Sequence, residues 1–164
     1  MSPIELQHAV EQFLYDQADW CDRQQWDEYL ACFEPSAVFH VPQWDSEHVA
    51  TTDPKREMSM IYYANRGGLE DRIFRLRTGK SAASQPMPRT LHQINNVRIR
   101  SQAQGVLQVG AKWSTHYTRQ GQADCYFGEV SYEMRQSGAS FSILRKHVLL
   151  LNDRINAVLD FYHL

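Results

Sequence analysis

The sequence predicts an α+β fold in which N-terminal helices pack into a strongly curved antiparallel sheet, and two observations carry that prediction. Apolar residues recur at helical spacing from Leu6 to Phe33. From Thr90 onward, stretches of two-residue alternation are separated by Gln104-Gly105, Gln120-Gly121 and Ser137-Gly138, dipeptides suited to tight hairpins. With 164 residues, 43% hydrophobic and 12% aromatic, the chain can build one core over residues 1–164 and is too short for a second.

Ser2-Pro3-Ile4-Glu5 supplies an N-cap serine, a proline at the first helical position and a glutamate three residues after the cap. The helix that starts there turns Leu6, Val10, Phe13, Leu14 and Cys21 to one side and Glu11, Gln12, Asp16 and Asp19 to the other. Asp22 to Gln25 breaks it, and a second helix carries Trp26, Tyr29, Leu30 and Phe33 until Pro35 ends it. Ala37 to Val41 alternates as a strand that Pro42 stops or leaves at an edge. Gln43 to Lys55 reads as a polar loop and Met58 to Asn65 as β-prone chain. Gly67-Gly68 opens a short helix with Leu69, Ile73 and Leu76 on one face. Asp71 and Arg75 are spaced to pair along it, and Gly79 stops it.

Ser81 to Pro88 forms a loop, and a strand begins near Leu91. The next strand turns Leu107, Val109, Ala111, Trp113 and Tyr117 inward and Gln108, Lys112, Ser114, His116 and Thr118 outward. In Phe141 to Leu151, Phe141, Ile143, Leu149 and Leu151 alternate with Leu144, Val148 and Leu150, so both faces read as apolar. A second covering, by another subunit, is expected there. This order of helices and bent sheet is similar to the cone of NTF2-like and ketosteroid-isomerase-like proteins. That fold hosts isomerases, dehydratases, transport factors and non-catalytic subunits, so it leaves function open.

Several classes are disfavoured by composition. A net charge of -2 lacks the basic surplus of a phosphate-backbone binder, so no nucleic-acid partner is expected. Cys21, Cys32 and Cys125 form no CxxC or CxxH pair and read as reduced, mostly buried thiols. No basic, apolar leader opens the sequence and no apolar run approaches bilayer length, so the expectation is a cytoplasmic protein without a membrane partner.

A set of runs distributed along the whole chain adds a family. Pro42-Gln43-Trp44-Asp45, Asp53-Pro54-Lys55-Arg56-Glu57-Met58-Ser59, Ile61-Tyr62-Tyr63-Ala64-Asn65-Arg66, Gly68-Leu69-Glu70-Asp71-Arg72, Pro88-Arg89-Thr90, Asn95-Asn96-Val97 and Asp160-Phe161-Tyr162-His163-Leu164 occur in order. In these the chain resembles the small, or β, subunit of aromatic-ring-hydroxylating dioxygenases, in the benzoate and anthranilate 1,2-dioxygenase branch. The resemblance implies a structural subunit within a trimer of αβ pairs. It places a Rieske [2Fe–2S] centre and a mononuclear non-haem iron in the large α subunit, with NADH electrons arriving through a separate reductase. It implies no catalytic, cofactor or metal residue in this chain.

The residues themselves leave three classes standing: a non-catalytic subunit, a stand-alone cone enzyme, and a small-ligand binding module. For the enzyme, His40 and His147 are candidate general bases, against the commoner state of hydrogen-bonded core or interface histidines. His92, on a strand edge, and His116, on a polar face, read as surface or interface groups. Asp45, Glu47, His48 and Asp53 form the densest ligand-like cluster, but neighbours in extended chain point apart, so a solvated or partner-contacting loop is the reading. Cys125 shows no base to make it a nucleophile. Trp20, Trp26 and Trp113 fit core stripes, whereas Trp44 sits in a polar loop. Tryptophan and arginine dominate interface hot spots, so Trp44, Arg66 and Arg89 are the candidate subunit contacts, with Trp44 folded back onto its own domain as the alternative.

Overall fold

The computed structural model describes all 164 residues. Helix α1 (Pro3–Asp22) begins with a reciprocal cap, Glu5 N–H donating to Ser2 Oγ at 3.3 Å and Ser2 N–H to Glu5 Oε2 at 2.7 Å. Leu6, Val10, Leu14, Gln17 and Cys21 are its buried face. Helix α2 (Trp26–Ala31) is shorter than its apolar spacing predicts. The chain leaves it at Cys32, and Phe33 opens strand β1 (Phe33–Pro42) instead of closing the helix. Pro35 therefore does not stop a helix. It lies where the register of β1 against its neighbour is broken, between Phe33 and Val38, so its missing N–H costs no ladder bond.

The expected loop after Pro42 contains a small hairpin, β2 (Trp44–Ser46) with β3 (Val49–Ala50), and the β-prone stretch is β4 (Ser59–Tyr63). Helix α3 (Gly67–Thr78) buries Leu69 and Ile73, and Gly79 ends it at φ +67°, where its N–H caps the Leu76 carbonyl. The expected Asp71–Arg75 pair does not form. Arg66 pairs with Glu70 at 2.7 Å, and Arg72 reaches across the molecule to Asp160. The long strands follow: β5 (Arg89–Ala103), β6 (Val106–Arg119), β7 (Gln122–Ser137) and β8 (Ser140–Leu150). Gln104-Gly105 and Gln120-Gly121 turn with both residues at positive φ, the geometry that matches strand twist.

The main sheet has the order β4-β1-β8-β7-β6-β5 and is antiparallel except where β1 runs parallel to β8. Helix α1 lies along β5, and the concave face encloses the core. Strand β8 departs from simple alternation. Met134 pairs with Ile143 and Glu133 with Arg145, so Leu144 is an extra residue that reverses the phase of the strand. Before it Ile143 is buried; after it Lys146, Val148 and Leu150 are. The outward side is Arg145, His147, Leu149 and Leu151, more polar than the doubly apolar strand expected from the sequence.

The phase reversal puts a lysine in the core. Lys146 is 4% exposed, and its ammonium lies 3.3 Å from Gln17 Oε1 and over the rings of Phe39 and Tyr132 at 5.6 and 5.8 Å. No carboxylate pairs with it. Burial pushes its pKa down to about 8. Because the folded value lies below the unfolded one, folding penalises the charged form fully below pH 8. The penalty disappears as pH rises from there toward the free-lysine value. We therefore expect Lys146→Met to stabilise the chain by about 2 kcal/mol at pH 7. In urea unfolding at a series of pH values, its advantage over the unsubstituted chain should shrink between about pH 8 and 10.5. Comparing the two chains cancels the Cys21 and Cys32 thiols, which burial pushes up to about 12.

Candidate functional site

Two places could carry function: the interior of the cone and the outer surface of its sheet. Inside, strand parity directs Thr90, His92 and Ile94 of β5 beside Tyr117, Thr115 and Trp113 of β6. Asp22, at the end of α1, meets them. Its carboxylate accepts from Thr90 Oγ1 at 2.9 Å, from the His92 backbone N–H at 2.9 Å and from His92 Nδ1 at 2.5 Å. Burial raises the Asp22 pKa, but the bonds from His92 and Thr90 outweigh it and hold the carboxyl below its ordinary value. The His92 side chain is 4% exposed, and its Nε2 and the adjacent Thr115 Oγ1 have no partner in this chain. His92 is thus an inward member of an Asp–His pair and not the surface group expected. The signal was its even spacing with Ile94, which points to the core.

The remaining space is taken by the chain itself. After β8 an irregular stretch leads to a single 3-10 turn, Phe161–His163, and the five residues Asp160 to Leu164 are all buried. Phe161 packs on Trp26 and Tyr29 with ring centroids at 5.4 and 5.6 Å. His163 packs on the stacked rings of Tyr117 and Tyr126, and Tyr162 shares a 2.8 Å hydrogen bond with Ser84. Asp160 caps the turn through the Phe161 N–H at 2.9 Å and binds the Arg72 guanidinium. Its own N–H donates to His163 Nδ1, and burial holds His163 down to about 4, so this imidazole is a neutral packing group at pH 7. An acid–base pair is present, but the side chains above it are those of the fold.

On the outer face of the sheet, His147 and a fully covered His40 stack edge to face with centroids 5.1 Å apart. Phe39 and Val41 point inward, so His40 points out, and the bulge at Leu144 turns His147 the same way. Neither histidine is in the cone, which removes both as bases of an interior active site. His40 Nε2 and Ser59 Oγ are hydrogen-bonded at 3.1 Å. Burial, His40 and Arg145 together push the His147 pKa down to about 4.

Trp44 is half-buried and folded back: its indole N–H donates to the Leu150 carbonyl at 2.8 Å. Arg66 binds Glu70 and donates to the Phe33 carbonyl at 2.8 Å, tying α3 to β1. Arg89 is exposed at the start of the edge strand β5, and its guanidinium makes no ion pair. The Asp45, Glu47, His48 cluster is spread over the exposed β2–β3 hairpin. Nowhere do three His, Cys, Asp or Glu side chains converge as metal ligands. Cys125 and His116 approach to 3.9 Å as an isolated pair, and Cys21 and Cys32 lie in the core. A Rieske centre takes two cysteines and two histidines, and a non-haem oxygenase iron two histidines and a carboxylate, so this donor set fits neither.

The Arg72–Asp160 pair is the measurable part of the closed interior. Asp160→Ala leaves a half-buried guanidinium unpaired and an uncapped turn, and should cost about 3 kcal/mol in chemical denaturation.

A family model described as the ring hydroxylating beta subunit matches residues 16–157. The chain is 46% identical over 160 residues to the anthranilate 1,2-dioxygenase small subunit of Acinetobacter baylyi, covering 98% of each. It is 42% identical over 155 residues to that organism's benzoate 1,2-dioxygenase subunit beta, covering 94% and 92%. The crystal structure of the benzoate 1,2-dioxygenase beta subunit of Burkholderia mallei superposes with a TM-score of 0.78 at 37% identity, covering 94% and 95%. A scytalone dehydratase homologue from Novosphingobium aromaticivorans shares the fold alone, at TM-score 0.64 and 12% identity over 92% and 89% of the two chains. Matched along nearly its whole length by sequence and by structure, the chain belongs to the family of ring-hydroxylating dioxygenase β subunits.

Proposed function

We propose that this chain is the structural β subunit of the oxygenase component of a benzoate- or anthranilate-type 1,2-dioxygenase. The observation that carries it is the near full-length identity to the small subunits of those two enzymes. The filled cone supports it, because an interior occupied by Asp160 to Leu164 is packing and not a reaction chamber. The chemistry then lies in the large α subunit, with its Rieske [2Fe–2S] centre and non-haem iron, supplied with NADH electrons by a separate reductase. The assembly is a trimer of αβ pairs. No helix here is long and apolar enough to cross a membrane; a cytoplasmic complex is part of the same proposal. Its substrate is an aromatic carboxylic acid, whose ring is dihydroxylated on the partner subunit.

The three sequence candidates take different parts in this reading. Arg89 is the free guanidinium and is assigned a direct contact with a neighbouring subunit. Trp44 and Arg66 act through shape, Trp44 by fastening the β2–β3 hairpin to β8 and Arg66 by fastening α3 to β1.

The test is oxygen uptake with benzoate and with anthranilate, in the presence of reductase and NADH. It is run on this chain, on the large subunit and on their mixture, with light scattering on each. Turnover in the mixture, at the mass of several αβ pairs, is the expected result. Turnover by this chain alone, or no association, would overturn the proposal. For the contacts, Arg89→Ala should weaken association with the neighbouring subunit several-fold at unchanged thermal stability. Trp44→Ala should weaken it while also lowering the melting temperature, since the Leu150 carbonyl loses its donor.

A further inference from the structure

One row of side chains crosses all six strands on the outer face: Tyr62, His40, His147, Ser131, Gly110 and Arg98. Paired residues on one face of a sheet are nearest neighbours, so this row is continuous. Its central members, Ser131 and Gly110, are the smallest, and the face dips there. The dip is a trough of about 520 Å³ bordered by Arg98, Arg100, Gln108, Lys112 and Glu129. It continues for about 280 Å³ past Ser131 toward Glu133, Arg145 and His147. Gly110 makes room for a cation on the floor: a Cβ there would stand 3.2 Å from Arg100 Nε, whose guanidinium lies across it.

Charge decides what fits. Lys112 is matched by Glu129. Arg98, Arg100 and Arg145 enter no ion pair, against the single unpaired lining carboxylate of Glu133. Beside the far end, His40 Nδ1 is buried without a hydrogen-bond partner. The trough therefore suits an acidic projection.

The same molecule has one. The β2–β3 hairpin is exposed from Asp45 to Val49, neither Asp45 nor Glu47 enters an ion pair, and Val49 is 57% exposed beside them. The Trp44 indole holds the hairpin to the Leu150 carbonyl, so the tip is presented from a fixed base. We infer that the hairpin of one copy seats in the outer-face trough of the next, Asp45 and Glu47 lying against Arg98, Arg100 and Arg145. Two different patches meet, so the contact is heterologous and generates a ring where its rotation closes. This rests on the subunit function proposed above and adds which surfaces meet.

The test is a charge swap, read by light scattering on the mixture with the large subunit, with circular dichroism as the check on folding. The variants are D45R/E47R, R98E/R100E, the milder R98Q/R100Q, and the combination of D45R/E47R with R98E/R100E. Each double variant should reduce the particle from several copies of this chain to one, and the combination should restore the full mass. An unchanged mass for the double variants, or no recovery in the combination, overturns the inference. If R98E/R100E alone loses the large subunit while D45R/E47R assembles normally, the trough holds an acidic segment of that subunit and the inference is likewise overturned. A wild-type chain that ignores the large subunit would overturn the proposed function instead. The same variants are then read on this chain alone, where a monomeric wild type overturns the inference as well.

Discussion

The extra residue at Leu144 decides what each face of the sheet can do, because a strand has a period of two and one insertion exchanges its sides. Without it, Lys146 would sit outside and His147 inside the cone. With it, an imidazole is removed from the interior and an ammonium is buried against Gln17, Phe39 and Tyr132. The cone gains a tightly enclosed cation and loses a general base. The outer face gains the His40–His147 stack and the polar row that leads from it to Arg98.

The interior is organised by the same economy of polar groups. Asp22 answers three donors from β5, Arg72 holds Asp160, and Tyr162 answers Ser84. The first set binds α1 to β5, and the other two bind the segment Asp160 to Leu164 to α3 and to the loop that precedes β5. Within the cone, Phe161 packs on Trp26 of α2 and His163 on Tyr117 of β6, so the interior is filled by the chain itself. A rigid body with a closed interior suits a subunit whose work is done at its surface.

That surface is not apolar. The sheet exterior presents unpaired arginines around a small-residue floor, and the projecting hairpin presents carboxylates. Charged surfaces of this kind fix register and partner choice more than they add affinity. They also guard the long β5 edge, where Arg89, Arg98 and Arg100 together with register breaks at Asn95–Arg98 and Ile99–Ser101 oppose uncontrolled strand pairing.

Much of the architecture was legible in the residues alone. The Ser2–Glu5 cap, the stripe of α1, the stop at Gly79, the three hairpin turns and the parity of β6 are local, and local rules specify them. So was the family, since the matching runs cover the chain. What local rules could not decide was anything set by a partner distant in sequence. Phe33 obeys helical spacing after Trp26 and Tyr29, yet β8 recruits it into a strand. The Asp71–Arg75 spacing along α3 goes unused, while Arg72 finds its carboxylate in Asp160, 88 residues away. His92 read as a surface or interface group until Asp22 closed over it, and Trp44 stayed open between a subunit contact and folding back until the Leu150 carbonyl supplied an acceptor. Periodicity and turn chemistry determined most of the elements, and the runs shared along the chain pointed to the family. Tertiary structure alone decided which side of the sheet each histidine and lysine faces, because that depends on a one-residue bulge that no period reveals.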